Sequence, residues 1–117
     1  MGTLSAARLL TAGSAWRLTG LAAAGRALLA AVTGPDPDDR VLAGILLTRA
    51  GGRSVPLISK ALAVGTDPVD LADILASIGT ETARAALETA AGSPRRDVAA
   101  AAGNALHTLD QIRRRPD

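Results

Sequence analysis

At 117 residues the chain has the commonest size of a single domain, and its 13 Lys+Arg against 11 Asp+Glu leave a net charge of only +2, too little to make a pI of about 10.4 a sign of nucleic-acid binding. The absence of Cys excludes disulfide staples, thiolate zinc sites and thiol nucleophiles together, and it fits a reducing compartment, so a cytoplasmic location is expected. Hydrophobic residues make up 48% but aromatics only 1%, Trp16 alone, so the core has to be assembled from Ala, Leu, Val and Ile, a mixture that favours helices over strands.

In chain order, residues 1–33 carry Leu4, Leu9, Leu10, Leu18, Leu21, Leu28, Leu29 and Val32. They predict one helical hairpin, broken near Gly13-Ser14 or at Gly20 and serving as an atypical end cap. The run from Leu18 to Val32 is the strongest candidate for a membrane span, yet Arg26 sits in its middle and it falls short of the ~20 apolar residues a span needs. Arg8, Arg17 and Arg26 also interrupt every stretch that could act as a signal peptide, so no membrane insertion is expected.

Three similar joints follow: Gly34-Pro35-Asp36-Pro37-Asp38-Asp39, Gly65-Thr66-Asp67-Pro68 and Gly92-Ser93-Pro94. The physical sense of the order is that Gly ends one helix in the left-handed conformation, Asp or Ser accepts hydrogen bonds from the next helix's free amides, and Pro fits that helix's first turn. The Asp-Pro and Ser-Pro pairs recur after 31 and then 26 residues, near the period of helical-hairpin repeats. Weaker breaks at Ala50-Gly51-Gly52-Arg53-Ser54 and Ile78-Gly79-Thr80-Glu81 divide each interval into two helices, with Ser54 and Thr80 as caps and Pro56 in a first turn.

The apolar spacing agrees with this division. Val55, Ile58, Ala61 and Leu62 share a face, as do Leu71, Ile74, Leu75 and Ile78, then Ala83, Ala86, Leu87 and Ala90, and finally Val98, Ala102, Ala105, Leu109 and Ile112. Between about Asp38 and Ala50, by contrast, Val41, Leu42, Ala43, Ile45, Leu46 and Leu47 cover most of the circumference, which predicts a central helix buried on several sides. The expected fold is therefore all-α: a single domain over 1–117 with about seven helices, ending in a basic tail at 112–117.

The stretch Asp67-Pro68-Val69-Asp70-Leu71-Ala72-Asp73-Ile74-Leu75-Ala76-Ser77-Ile78-Gly79 resembles the first helix of HEAT-like repeats of the small bacterial kind, including those named after phycobilisome lyases. Ser54-Val55-Pro56-Leu57-Ile58-Ser59-Lys60-Ala61-Leu62 is similar to that family's second helix, and Ser93 to Leu106 again looks like a first helix. The likeness covers roughly Pro35 to Leu109; the Arg that the family often places after Asp-Pro is present as Arg40 and replaced by Leu71 in the next repeat. The resemblance implies an α-solenoid of antiparallel hairpins, slightly superhelical, that acts as a scaffold for protein recognition, and it implies no lyase activity. If the family's concave-surface habit holds, the second helices offer Ser59, Lys60, Arg84 and Glu88 to a protein partner, with Trp16 either a surface anchor or a cap on the open end of the stack. A second copy of the chain is an alternative partner, since so short an array has little room for dedicated end caps.

Catalysis has one candidate. His107 lies three residues from both Asn104 and Asp110, a spacing that could orient an imidazole as a general base, but a lone helical His beside an Asp is more often a surface pair, and no enzyme activity is expected. One His with the Asp70, Asp73 pair gives too few ligands for a transition metal, and Gly51-Gly52-Arg53-Ser54 is better explained as a tight turn than as a phosphate cradle, so no cofactor or metal is expected. Arg113, Arg114 and Arg115, with Arg95 and Arg96 one helix-length away, form the visible basic concentration. They could grip a nucleic-acid backbone, but stacking aromatics are lacking, Asp97 and Asp110 dilute the charge, and cations at a helix C-terminus have a structural use of their own.

Overall fold

The structure, a computed structural model, describes residues 2–20 and 22–114, with side chains at 6–20 and 22–112. The expectations placed on Leu4, Leu21 and the side chains of Arg113, Arg114 and Arg115 lie outside these described residues.

The chain is all-helical: α1 (Gly2–Thr19), α2 (Ala22–Val32), α3 (Pro37–Ala50), α4 (Val55–Ala63), α5 (Pro68–Ile78), α6 (Glu81–Ala91) and α7 (Arg96–Arg114), with no strand among the described residues. A 3-10 turn, Gly51–Ser54, joins α3 to α4 without a non-helical residue, so among the described residues the seven α-helices make six continuous helical runs. The helices cluster into two compact units, residues 1–57 and 58–117.

In the first unit α1, α2 and α3 each pack against the other two. Glycine makes two of these approaches close. A Cβ on Gly13, in the middle of α1, would lie 2.8 Å from Leu46 Cδ2 of α3, and one on Gly25 of α2 would lie 2.8 Å from Cζ3 of the Trp16 ring. The hairpin break therefore falls at Gly20, not at Gly13: Gly20 has φ +67° and its N–H donates to the Trp16 carbonyl at 2.9 Å, closing α1 as a left-handed glycine does. Asp36 caps α3 as predicted, its Oδ1 accepting from the amides of Asp38 (2.9 Å) and Asp39 (3.3 Å).

Two expectations fail in this unit. Helix α3 buries Ala43, Leu46 and Leu47, but it is not covered all round: Val41 is 64% exposed and Ile45 45%. Two neighbouring helices on one side of a rod cannot reach its opposite arc. Ser54, expected to cap α4, is instead fully buried, accepting from Trp16 Nε1 at 2.9 Å and donating to the Leu47 carbonyl at 2.9 Å. Because the 3-10 turn leads straight into α4, there is no separate N-terminus for it to cap.

The continuous run Pro37–Ala63, rather than Leu18 to Val32, is the stretch long and apolar enough by composition to cross a membrane, a test that core helices also pass. Its Leu46, Leu47, Ser54, Val55, Ile58 and Leu62 lie inside the fold.

In the second unit α5, α6 and α7 likewise pack mutually, with Leu71, Ile74 and Leu75, then Ala83 and Leu87, then Val98, Ala102, Ala105 and Leu109 buried along the stripes that the spacing predicts. The α7 seam stops one step early, Ile112 being 61% exposed. Of the three joint glycines expected to turn left-handed, only Gly65 (φ +84°) does so, Gly34 taking no positive φ; Gly79 (φ +66°) is left-handed at the weaker break, and Thr80 Oγ1 accepts from Ala83 N at 3.1 Å. Gly92 ends α6 at φ −90°, and Asp67 does not cap α5; it adopts φ +34° itself, with its side chain turned to no helix amide. A non-glycine residue there stores backbone strain.

On α5, partial desolvation, and then the nearby charge of Asp70, hold the Asp73 carboxyl above its ordinary range. A carboxyl raised in the folded state favours folding while it is protonated, and that contribution is lost as pH rises through its raised value. Asp73→Asn should therefore raise the thermal midpoint relative to the parent at pH 7 and leave it unchanged near pH 3; an equal shift at both pH values, measured by circular dichroism, would contradict this.

Candidate interaction surfaces

Arg84 on α6 is largely withdrawn from solvent and ties α6 to α7: its Nη2 donates to Asp110 Oδ1 at 2.7 Å, and its Nε lies 3.6 Å from Glu88 one turn along α6. The hydrogen bond to Asp110 raises the guanidinium pKa above its usual value, and burial opposes it. Arg84 Nη1 is buried with no hydrogen-bond partner, as is Ser59 Oγ on α4. No hydrogen bond or ion pair joins Ser59 or Lys60 to Arg84 or Glu88, so the four side chains assigned to one partner face form no polar cluster among the described residues. Arg84 belongs to the α6–α7 contact; Glu88, paired among the described residues only with Arg84 on its own helix, and Lys60 on α4 are exposed.

Trp16 is buried, at 8% exposure, and its indole N–H is taken by Ser54, which rules out its use as a surface anchor in this conformation. Nothing local in the sequence marks that pair: 38 residues separate the two, and a Ser beside Pro56 has the pattern of a cap.

His107 is exposed on α7 and its Nε2 lies 3.1 Å from Gln111 Nε2. The carboxylate that the spacing places beside it, Asp110, is engaged with Arg84 across to α6, so the structure does not assemble the expected imidazole-carboxylate pair. No group of three or more His, Cys, Asp or Glu able to hold a metal occurs among the described residues.

The basic concentration divides. Arg95 lies over Gly65 at the joint between α4 and α5 and its Nε is 3.5 Å from Asp97 Oδ1, while Arg96 opens α7. Arg114 closes the same helix, about 27 Å away at 1.5 Å per residue, the one-helix-length separation that the sequence predicts.

An open groove of about 490 Å³ runs between α1 and α2, lined by Ala7, Ala12, Ala15, Ala23 and Ala24 with Arg8 and Thr11. Beyond it on α1, Leu18 is 76% exposed and falls on the same side as Thr11 and Ala15 at i, i+4 and i+7. The alanines leave little for a ligand to bond but let another helix approach closely.

Compared with family models, with curated proteins and with solved structures, the chain gives no significant match.

Proposed function

We propose that the chain is a non-catalytic protein-interaction module of HEAT-like helix pairs, and that the outer side of α1 and α2 receives an apolar helix of a protein partner. The observation that carries this reading is the alanine-lined groove with Leu18 beside it, 76% exposed on a helix whose opposite side holds the core residues Leu9 and Trp16. The repeat character is supported by the helix joints, where Asp36 and Thr80 cap and Gly65 and Gly79 turn, and by the single apolar stripe on each of α5, α6 and α7. The polar candidates for chemistry support it too, since Asp110 is engaged with Arg84 rather than with His107.

Affinity capture from the native cell tests it, with parent, Leu18→Asp and His107→Ala chains run in parallel. A specific protein held by the parent and by His107→Ala, and reduced at least about tenfold on Leu18→Asp, is the expected result. Retention of nucleic acid that falls steeply with salt and depends on Arg95 and Arg96 would replace this reading with a backbone-binding one.

A further inference from the structure

Helix α3 leaves one face uncovered, and that face carries a pattern complementary to itself. Val41, Gly44, Ile45 and Thr48 follow one another at i, i+3, i+4 and i+7, on the side away from the buried Ala43, Leu46 and Leu47. Val41 and Ile45 are the exposed aliphatics, and Gly44 between them presents no side chain, which lets a second backbone come close. Asp38 stands near one end of the strip and Arg49 near the other, both exposed, and neither side chain has a hydrogen-bond or ion-pair partner among the described residues.

The spacing decides the orientation of a partner helix. Asp38 and Arg49 are about 16 Å apart along the axis, and the point midway between them falls beside Gly44, where the midpoint of Val41 and Ile45 also falls to within one residue. A two-fold axis at that point lays a second α3 antiparallel to the first, sets Asp38 against Arg49 of the second copy at both ends, and brings Val41 over Ile45 in the middle. A parallel arrangement would oppose Asp38 to Asp38 and Arg49 to Arg49. We propose that this face is the contact between two copies of the chain, an isologous antiparallel α3 pair. It lies on a different helix face from the partner surface on α1 and α2 and does not depend on it.

Sedimentation equilibrium of the whole chain, from about 1 μM to about 1 mM, reads the association directly, a range suited to an interface of one helix face. The parent passes from monomer to dimer with concentration. Ile45→Glu stays monomeric throughout. Asp38→Arg or Arg49→Asp alone weakens association by about tenfold or more, because each places two like-charged pairs in the dimer. The double variant Asp38→Arg/Arg49→Asp associates like the parent, and an equimolar mixture of the two single variants forms a heterodimer. These positions are exposed on the monomer, so far-ultraviolet dichroism should be unchanged; if Ile45→Glu loses it, the charge variants alone decide. A parent that is monomeric over the whole range, or single charge reversals that associate as tightly as the parent, would overturn the proposal.

Discussion

Trp16→Ala is expected to cost about 3–5 kcal/mol of stability, a large share of the 5–15 kcal/mol typical of a natural domain. The indole is 8% exposed, lies against Gly25 of α2, and bonds through Nε1 to Ser54, so one side chain of α1 meets both α2 and the turn after α3. Its loss opens a cavity that alanines cannot close, because their side chains are already too short to move into it. Ser54→Ala separates the polar part of this effect from the packing part. It leaves the indole N–H and the Leu47 carbonyl without the hydroxyl that serves both, at about 1–3 kcal/mol. Urea unfolding followed by far-ultraviolet dichroism should place both midpoints below the parent, with Trp16→Ala the lower; a Trp16→Ala midpoint within error of the parent would mean that the ring is not packed as described.

Leu87→Ala is expected to cost about 2–5 kcal/mol in the second unit. Helix α6 carries no other large aliphatic residue: its inward positions are otherwise Ala83, Ala86 and Ala90, so Leu87, with no exposed surface, supplies most of the apolar volume that α6 gives to α5 and α7. Ile112→Ala serves as the control. Both residues belong to apolar stripes in the sequence, but Ile112 is 61% exposed and its truncation should stay within about 0.5 kcal/mol. Equal losses from the two substitutions, read from the same denaturation curves, would mean that the α7 seam extends further than described.

The helices were legible because their signals are local. A capping Asp36 or Thr80, a left-handed Gly65, and aliphatic residues three and four apart are properties of a few neighbouring residues, and each appears where the spacing puts it. Local signals fail at Asp67, which does not cap, and at Gly34 and Gly92, which do not turn left-handed; the other misreadings have a common physical origin in what lies far along the chain. Ser54 looked like a cap because its neighbours fit one, while its true partner stands 38 residues earlier. Val41 and Ile45 looked buried because a helix apolar on all sides usually is, but how much of a rod is covered depends on how many others lie against it. The candidate surfaces were less legible still. Arg84 and Asp110, 26 residues apart, carry no mark of being bonded to each other, and once they are, Asp110 is engaged away from His107 and Arg84 away from the expected partner face. Alanines lining a groove are indistinguishable in sequence from alanines packed inside.

The solitary indole also makes the molecule readable by light. With no Tyr or Phe present, near-ultraviolet excitation enters the protein at one ring, and the colour of its fluorescence registers whether that ring is dry and bonded to Ser54 or wet. The signal belongs wholly to residues 1–57, leaving residues 58–117 dark. A single tryptophan introduced at an exposed α6 position in a Trp16→Phe background would illuminate the other half, and the pair of proteins would report on each unit without a dye or a tag.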